Sequence, residues 1–303
     1  VNSRRVLILS DGKPGHVNQS IAFVRHLGCD YDLLQVRFNS RWAKGLSYLF
    51  DRCRIFTRSL FSLDGIAADY SAIISAGSET YYANRVLTRE LRTKSVAIML
   101  PKGYRYDFDL IIAQNYDDPP ARNHIISVPV NLSYVEPQGL VKPQAGRRPI
   151  SLIIGGNSRH FKLDPTRLRK QLEMIFTFFP EHDFWVTTSR RTPPEIEAVL
   201  KEFDFSYTLY YSAVKTNPIP DFLQHSEYVF LTADSTSMIS EAVSYGSACV
   251  EILPLAQPLV GADKFSRFLR QLLESGCLHL FDGQLGQACE KIDLSKLLDE
   301  VVL

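Results

Sequence analysis

No stretch of this 303-residue sequence approaches the roughly 20 consecutive apolar residues of a membrane-spanning helix, which excludes a spanning helix within it. Cysteine is sparse and scattered. Cys29, Cys53, Cys249, Cys277 and Cys289 are odd in number and form no CxxC or Cys/His cluster, which argues against a zinc site or a disulfide framework and fits a reducing cytosol. There is no GxGxxG and no Walker-type loop. Paired-carboxylate spacing for a metal is also missing, since Asp117–Asp118 ahead of Pro119–Pro120 reads as a turn. No metal and no resident cofactor are therefore expected. Net charge is nearly absent at +1 and no nucleic-acid motif occurs, so nucleic acid is not an expected partner. The opening VNSRRVLILSDG does not read as a signal peptide, because its apolar run is short and ends in a polar turn. It has no initiator Met, which leaves a trimmed leader open.

What is present is a soluble globular composition, 45% hydrophobic and 22% charged, of a length suited to two domains. The near-zero charge hides an asymmetry. Residues 1–148 carry 20 Lys/Arg against 13 Asp/Glu (+7), and residues 149–303 carry 14 against 20 (−6), so the halves face different partners or simply have unrelated surfaces. Short apolar runs alternate with helical stretches in both halves: Arg5–Leu9, Tyr31–Arg37, Ala72–Ser75, Ser95–Leu100, Leu110–Ala113 and Ile125–Val128, then Ile150–Ile154, Phe184–Thr187, Tyr207–Tyr210, Tyr228–Leu231 and Ala248–Ile252. Such runs predict buried parallel strands. Helices are predicted over about 17–27, 166–178, 194–201, 236–244 and 264–274. Between the halves, residues 131–149 are proline-punctuated and aperiodic. The fold class is α/β, with two doubly wound Rossmann-like domains facing a cleft: residues 1–130, a linker at 131–149, and residues 150–303, whose C-terminal helix is free to pack back on the first domain.

Ligands in such sheets lie beyond the carboxyl ends of the strands, so five strand-to-helix loops are the candidates. In DGKPGHVNQS (11–20), Gly12 and Gly15 permit a tight turn, and Asp11 and His16 are placed for proton transfer or for satisfying backbone groups. In SAGSETYYA (75–83), Ser78 is the expected helix cap, and Glu79 is either a general base or a first-turn carboxylate favoured by the helix dipole. In IIGGNSRHFKL (153–163), Gly155 and Gly156 allow close approach of a diphosphate, and Asn157, Ser158, Arg159 and His160 add donors; the alternative is a surface turn. In TTSRRTPPE (187–195), Ser189, Arg190 and Arg191 suit phosphate recognition or a surface ion pair. In LTADSTSMISEA (231–242), Asp234, Ser235, Thr236 and Ser237 make a cap or a phosphate cradle, and Glu241 has the two acceptor oxygens that a ribose diol requires.

Residues 41–61 carry five Arg/Lys and one acid, Asp51, with Trp42, Leu46, Leu49, Cys53, Phe56 and Leu60 at helical spacing. The stripe reads first as the core face of a domain helix. The second reading is an interfacial helix on an anionic membrane, which would make the cytoplasmic chain peripheral on the inner face of the cytoplasmic membrane.

Six blocks occur in one order: DGKPGHVNQ (11–19), GG (155–156), TTSRRTP (187–193), NPIPDFL (217–223), TADSTSMISEA (232–242) and GADKFSRFLRQLLESG (261–276). Together they resemble the mitochondrial-fission Elm-type family over nearly the whole chain. That resemblance implies a GT-B glycosyltransferase-like fold and a sugar-nucleotide substrate. The chain departs from the family at AGSET (76–80), where an arginine-rich block is usual, and at Pro101–Lys102–Gly103, where a Pro-Arg element is usual. The GHVNQ block is also similar to the Gly-Gly-His loop of the lipid-linked peptidoglycan precursor glycosyltransferase. The expected activity is metal-independent transfer of a sugar from a nucleotide-activated donor to a cell-envelope glycan or lipid-linked acceptor such as lipopolysaccharide. The alternatives are a nucleotide-sugar epimerase of the same fold and a non-catalytic membrane adaptor.

Overall fold

The computed structural model describes residues 5–66, 69–157, 162–255 and 263–303. The chain divides into two units, Val1–Tyr134 with Leu294–Leu303, and Val135–Asp293.

The first unit runs β1 (Arg5–Ser10), α1 (Pro14–His26), β2 (Asp30–Phe38), α2 (Arg41–Arg52), β3 (Phe61–Leu63), β4 (Ala72–Ala76), α3 (Tyr81–Leu91), β5 (Lys94–Ile98), β6 (Leu110–Gln114) and β7 (Ile125–Val128). The strands pair in the order β3-β2-β1-β4-β5-β6-β7, parallel except for β3 on the edge. Helices cover both faces of a parallel sheet, so its central strands are near-continuous apolar runs rather than alternating ones. Accordingly Val6–Leu9 and Ala72–Ile74 are buried without interruption. Pro14 starts α1, where its missing N–H costs nothing.

The second unit runs β8 (Ile150–Ile154), α4 (Pro165–Phe178), β9 (Phe184–Thr188), α5 (Pro194–Leu200), β10 (Tyr207–Leu209), α6 (Ile219–His225), β11 (Tyr228–Thr232), α7 (Thr236–Ser244), β12 (Cys249–Leu253), α8 (Lys264–Glu274) and β13 (His279–Leu280). Its order is β10-β9-β8-β11-β12-β13, parallel throughout. Each fully buried core side chain, such as Ile153 or Leu231, contributes about 1.5–3 kcal/mol. After β13 the chain returns to the first unit through α9 (Leu294–Leu298), whose Leu294 and Leu298 are buried.

Three features differ from the sequence reading. The proline-punctuated segment is packed, not free: Leu132 is buried in the first unit, and Gln138, Gly139 and Leu140 donate backbone N–H groups to the Asp221 carboxylate of the second, at 2.8, 2.9 and 2.6 Å. Cys249 is joined to Cys289 in a disulfide, which the scattered cysteines had argued against. The Val250 N–H donates to the Ala288 carbonyl at 3.0 Å, which lays residues 288–289 along β12.

The third difference is α2. Its apolar stripe does not face the core. Trp42, Leu46 and Leu49 are 85, 42 and 54% exposed, and the buried face is Ala43, Ser47 and Asp51. A polar inner face is tolerable only when it is paired. Ser47 Oγ bonds to the Tyr104 hydroxyl at 2.8 Å, Asp51 accepts the Arg105 N–H at 2.8 Å, and the buried Arg85 guanidinium lies 3.6 Å from Asp51. Arg85 also ion-pairs with Asp107 and lies against the rings of Phe56 and Phe108. No helix among the described residues is long and apolar enough to cross a membrane.

Candidate functional site

In each sheet the order of winding reverses once, between β1 and β4 and between β8 and β11. Loops leaving neighbouring strands diverge at such a point, which leaves room beyond the carboxyl ends. The candidate loops converge at these two places.

At the first, Asp11 follows β1 with its side chain buried, while His16 lies in the first turn of α1. His16 Nδ1 is 2.9 Å from Asp11 Oδ2. Asp11 also accepts the Lys13 N–H at 3.1 Å and pairs with Lys13 Nζ at 3.1 Å. Burial alone would raise the Asp11 pKa. The hydrogen bonds from His16 and the Lys13 N–H, together with the imidazole charge, outweigh it and hold the carboxyl at about 2. In the neutral ring, a carboxylate at Nδ1 fixes the proton there and makes Nε2 the acceptor. Gly77, after β4, completes the arrangement. Its φ is +87°, and a Cβ there would overlap the His16 ring, so a glycine is required for the imidazole to sit where it does.

The recess beside this dyad has a volume of about 400 Å³ and is lined by Asp11, Lys13, Arg37, Arg41, Lys44 and Glu79, among others. Its charge is positive, with four cations against two carboxylates. Glu79 is ion-paired with Lys44. It precedes α3 instead of standing in its first turn, because Thr80 takes the cap position that the sequence assigned to Ser78. The Thr80 hydroxyl donates to the carbonyls of Ala76 and Gly77 at 3.1 and 3.0 Å, tying off the end of β4.

At the second place three loops interlock. Asp234, following β11, has a fully buried side chain. It accepts the Gly156 N–H at 3.0 Å, the Thr232 hydroxyl at 2.7 Å and Arg191 Nη2 at 3.0 Å. Burial nevertheless raises its pKa, with those bonds opposing the rise. The Gly155 N–H donates to the Thr232 hydroxyl at 2.7 Å, and the Asn157 N–H to the Arg191 carbonyl at 3.2 Å. Asn157 Oδ1 accepts the Leu163 N–H at 2.9 Å. The Thr192 hydroxyl donates to the Gly155 carbonyl at 2.5 Å, and the Ser189 N–H donates back to Thr192 Oγ1 at 2.8 Å.

These bonds revise the diphosphate cradle read from the sequence. The N–H groups of Gly155 and Gly156 are taken by Thr232 and Asp234. A Cβ at Gly155 would overlap the Asp234 carboxylate, and one at Gly156 would overlap the Arg191 backbone. The glycine pair is there for protein packing, and Asp234 positions the loops from beneath. Ser158, Arg159 and His160 lie outside the described residues, as do Gly261 and Ala262 of the last sequence block.

What the interlock leaves open is a recess of about 230 Å³ beyond β8 and β9. Ile154, Tyr211, Ile219 and Met238 give it apolar walls, and Ser189, Arg190, Lys215 and Asn217 give it polar ones. That volume is below the roughly 300–1,000 Å³ of a whole drug-sized pocket and suits one flat part of a larger ligand. The Ser235 hydroxyl accepts the Met238 N–H at 3.4 Å and caps α7, while Thr236 is half-buried and Ser237 exposed. Glu241 is half-buried on α7, one turn beyond Met238, so both lie on one side of the helix. No hydrogen bond or ion pair to its carboxylate is found among the described residues, and burial pushes its pKa up to about 7. Tyr211, Lys215, Asn217, Ile219 and Met238 were not singled out from the sequence. The available signal was NPIP at 217–220, where Asn217 Oδ1 accepts the Ile219 N–H at 3.2 Å and prolines open α6.

Comparison with known proteins adds five findings. An uncharacterized protein of Rickettsia prowazekii (strain Madrid E) is 29% identical over 138 residues, covering 44% of this chain and 38% of that protein; the match thus spans well under half the relative's length. Among solved structures, the glycosyltransferase of kitacinnamycin aligns with a TM-score of 0.52 at 12% identity, covering 95% of this chain and 88% of that one. The S. aureus MnaA–UDP co-structure aligns at 0.51 and 10% identity, covering 91% and 83%. A candidate UDP-N-acetylglucosamine 2-epimerase from Listeria monocytogenes aligns at 0.50 and 11%, covering 98% and 87%. These likenesses, with two doubly wound units in one chain, make the fold the GT-B type. Residues 14–301 match the profile described as mitochondrial fission ELM1, and the chain belongs to that family.

Proposed function

We propose that this protein is a glycosyltransferase that moves a sugar from a nucleotide-activated donor to an anionic cell-envelope glycan or lipid-linked acceptor. The observation that carries the reading is Glu241. A half-buried carboxylate with no protein partner among the described residues is costly unless a ligand supplies donors. A vicinal diol, such as that of a ribose, is a ligand that supplies two. In this reading the apolar recess beside Met238 takes the base, and Arg190 and Arg191 take the diphosphate, with Ser235, Thr236 and Ser237 beside it. Asp234 holds Arg191 and Gly156 in place without touching the donor.

The first unit supplies acceptor chemistry. His16 Nε2 accepts the proton of the acceptor hydroxyl, with Asp11 stabilising the imidazolium. The acceptor oxygen then bonds to the anomeric carbon as the carbon–oxygen bond to the diphosphate breaks, and the nucleoside diphosphate leaves. Glu79 is assigned to holding Lys44, not to proton transfer, because its carboxylate is already paired. The four cations of the 400 Å³ recess favour an acceptor that bears negative charge. No resident cofactor or catalytic metal takes part in this reading.

A thermal-shift panel of nucleotide-sugars tests the proposal, since a ligand that binds only the folded state raises its melting temperature. The expected result is stabilisation by one nucleoside diphosphate class, reduced in Glu241→Ala. Conversion of that donor in the absence of any acceptor would assign the protein to the epimerases instead. Absence of stabilisation by every nucleotide would favour the adaptor.

A further inference from the structure

The first unit has a second recess, of about 440 Å³, that shares no lining residue with the one at Asp11. Its walls are Arg54, Tyr104, Arg105, Tyr106, Asp107 and Arg122. Three guanidinium groups face one carboxylate there, and that carboxylate is already shared between Arg85 and Arg105. Arg105 is held from two sides, with Nε 3.5 Å from Asp51 and Nη2 3.1 Å from Asp107. Arg122 lies over the Tyr106 ring and has no carboxylate partner among the described residues. Arg54 and Arg122, both exposed and without an ion pair among the described residues, therefore leave the cluster with surplus positive charge, and planar guanidinium forks are suited to a phosphate.

The recess closes onto α2. The Tyr104 ring packs on Tyr48 at 4.5 Å, Arg105 is tied to Asp51, and Arg54 directly follows the helix. The outer face of the same helix is the exposed Trp42–Leu46–Leu49 stripe, and Ile55, 47% exposed, lies just past the helix end. Arg41 and Arg52 are exposed on this helix, and its one acid, Asp51, faces inward. An apolar stripe of this kind on a monomer marks an interaction surface. A second copy of this chain fits it poorly, because a symmetric contact would set like-charged arginines against each other.

We propose that this face docks on an anionic membrane, with Trp42, Leu46 and Leu49 in the boundary between headgroups and acyl chains and with the phosphate of a lipid headgroup held by Arg54, Arg105 and Arg122. The proposal goes beyond the catalytic reading and stands without it. Interfacial helices combine these two contributions, apolar burial and attraction to anionic lipid.

The test uses the full chain with phosphatidylcholine vesicles, with and without phosphatidylglycerol. Co-sedimentation is expected only with the anionic vesicles, weakening as salt is raised. Trp42 emission should shift to the blue and be quenched by brominated acyl chains, while buried Trp185 stays silent. Arg54→Gln with Arg122→Gln should weaken anionic-vesicle binding about 30-fold, as two lost surface cations imply. Leu46→Ser with Leu49→Ser should abolish the quenching. All four positions are exposed, so unchanged thermal melts are expected for both variants and serve as the folding control. Each of these results would overturn the proposal: equal binding to neutral vesicles, anionic binding without Trp42 quenching, or a dimer in solution that the Leu46/Leu49 variant dissociates. Full competition by millimolar inorganic phosphate would do the same, because it would make the recess a site for soluble phosphate.

Discussion

The two units use the same strand–loop–helix device and put it to different ends. After β1, the loop fixes an imidazole: Asp11 is buried and ionised, Gly77 makes space, and His16 keeps one ring nitrogen available. After β8, the loop fixes other loops: both glycine N–H groups are taken by Thr232 and Asp234, and the recess of about 230 Å³ opens beside it, against Met238 and Tyr211. A glycine pair at the end of a strand is thus not by itself an anion site. Its N–H groups must be traced to their acceptors before a phosphate is assigned to them.

The largest effect is expected at the first loop. His16→Ala should lower kcat by about 10²–10⁴-fold, the usual contribution of a general base, with donor affinity unchanged in titration calorimetry. A matching loss of donor affinity would show that the units do not divide the work as assigned. Next is Asp234→Ala, which strips a buried carboxylate from Arg191, Thr232 and the Gly156 N–H. Removing one member of a buried, paired group costs about 3–5 kcal/mol, so thermal unfolding should drop by several degrees and donor binding should fall with it. An unchanged melt would mean that the three loops hold together without it.

Third comes pH. Glu241 is protonated in the folded protein up to about pH 7, against an ordinary value of 4.5. A carboxyl whose folded pKa is raised contributes relative stability below its unfolded pKa, and that contribution is lost as pH rises from 4.5 through 7. Only the carboxylate accepts from both hydroxyls of a diol, so donor affinity should increase about tenfold from pH 6 to pH 8 and stay flat in Glu241→Gln. The smallest effect is expected for Glu79→Gln. Its carboxylate is paired to Lys44, and substitution should change kcat by less than about threefold, of the order of a partly exposed ion pair.

The sequence made the strands and most helices legible because uninterrupted apolar runs have one common solution in a parallel sheet. Ile150–Ile154 and Ile125–Val128 are strands to the residue, and 236–244 and 264–274 are helices as expected. The loop candidates were legible as places, since each follows a strand. What they do was less so. Whether a Gly155 N–H faces a ligand or Thr232 depends on β11, 77 residues away. The direction of the α2 stripe was hidden for the same reason. Spacing shows that Trp42, Leu46 and Leu49 share a face, but the opposite face is buried because Arg85, on another helix, neutralises Asp51. The Cys249–Cys289 pair, 40 residues apart, had no local spacing to announce it. Met238 and Tyr211 carry no chemical signature at all; they matter through the recess that they line.

The central claim is that the second unit binds a nucleotide diol through Glu241. Titration of the protein with uridine and adenosine diphosphates by calorimetry at pH 8, beside Glu241→Ala, addresses it most directly. The account predicts one-site binding of at least one of the two by the parent protein, weakened at least about tenfold by the substitution. Equal affinity in the two proteins would contradict it.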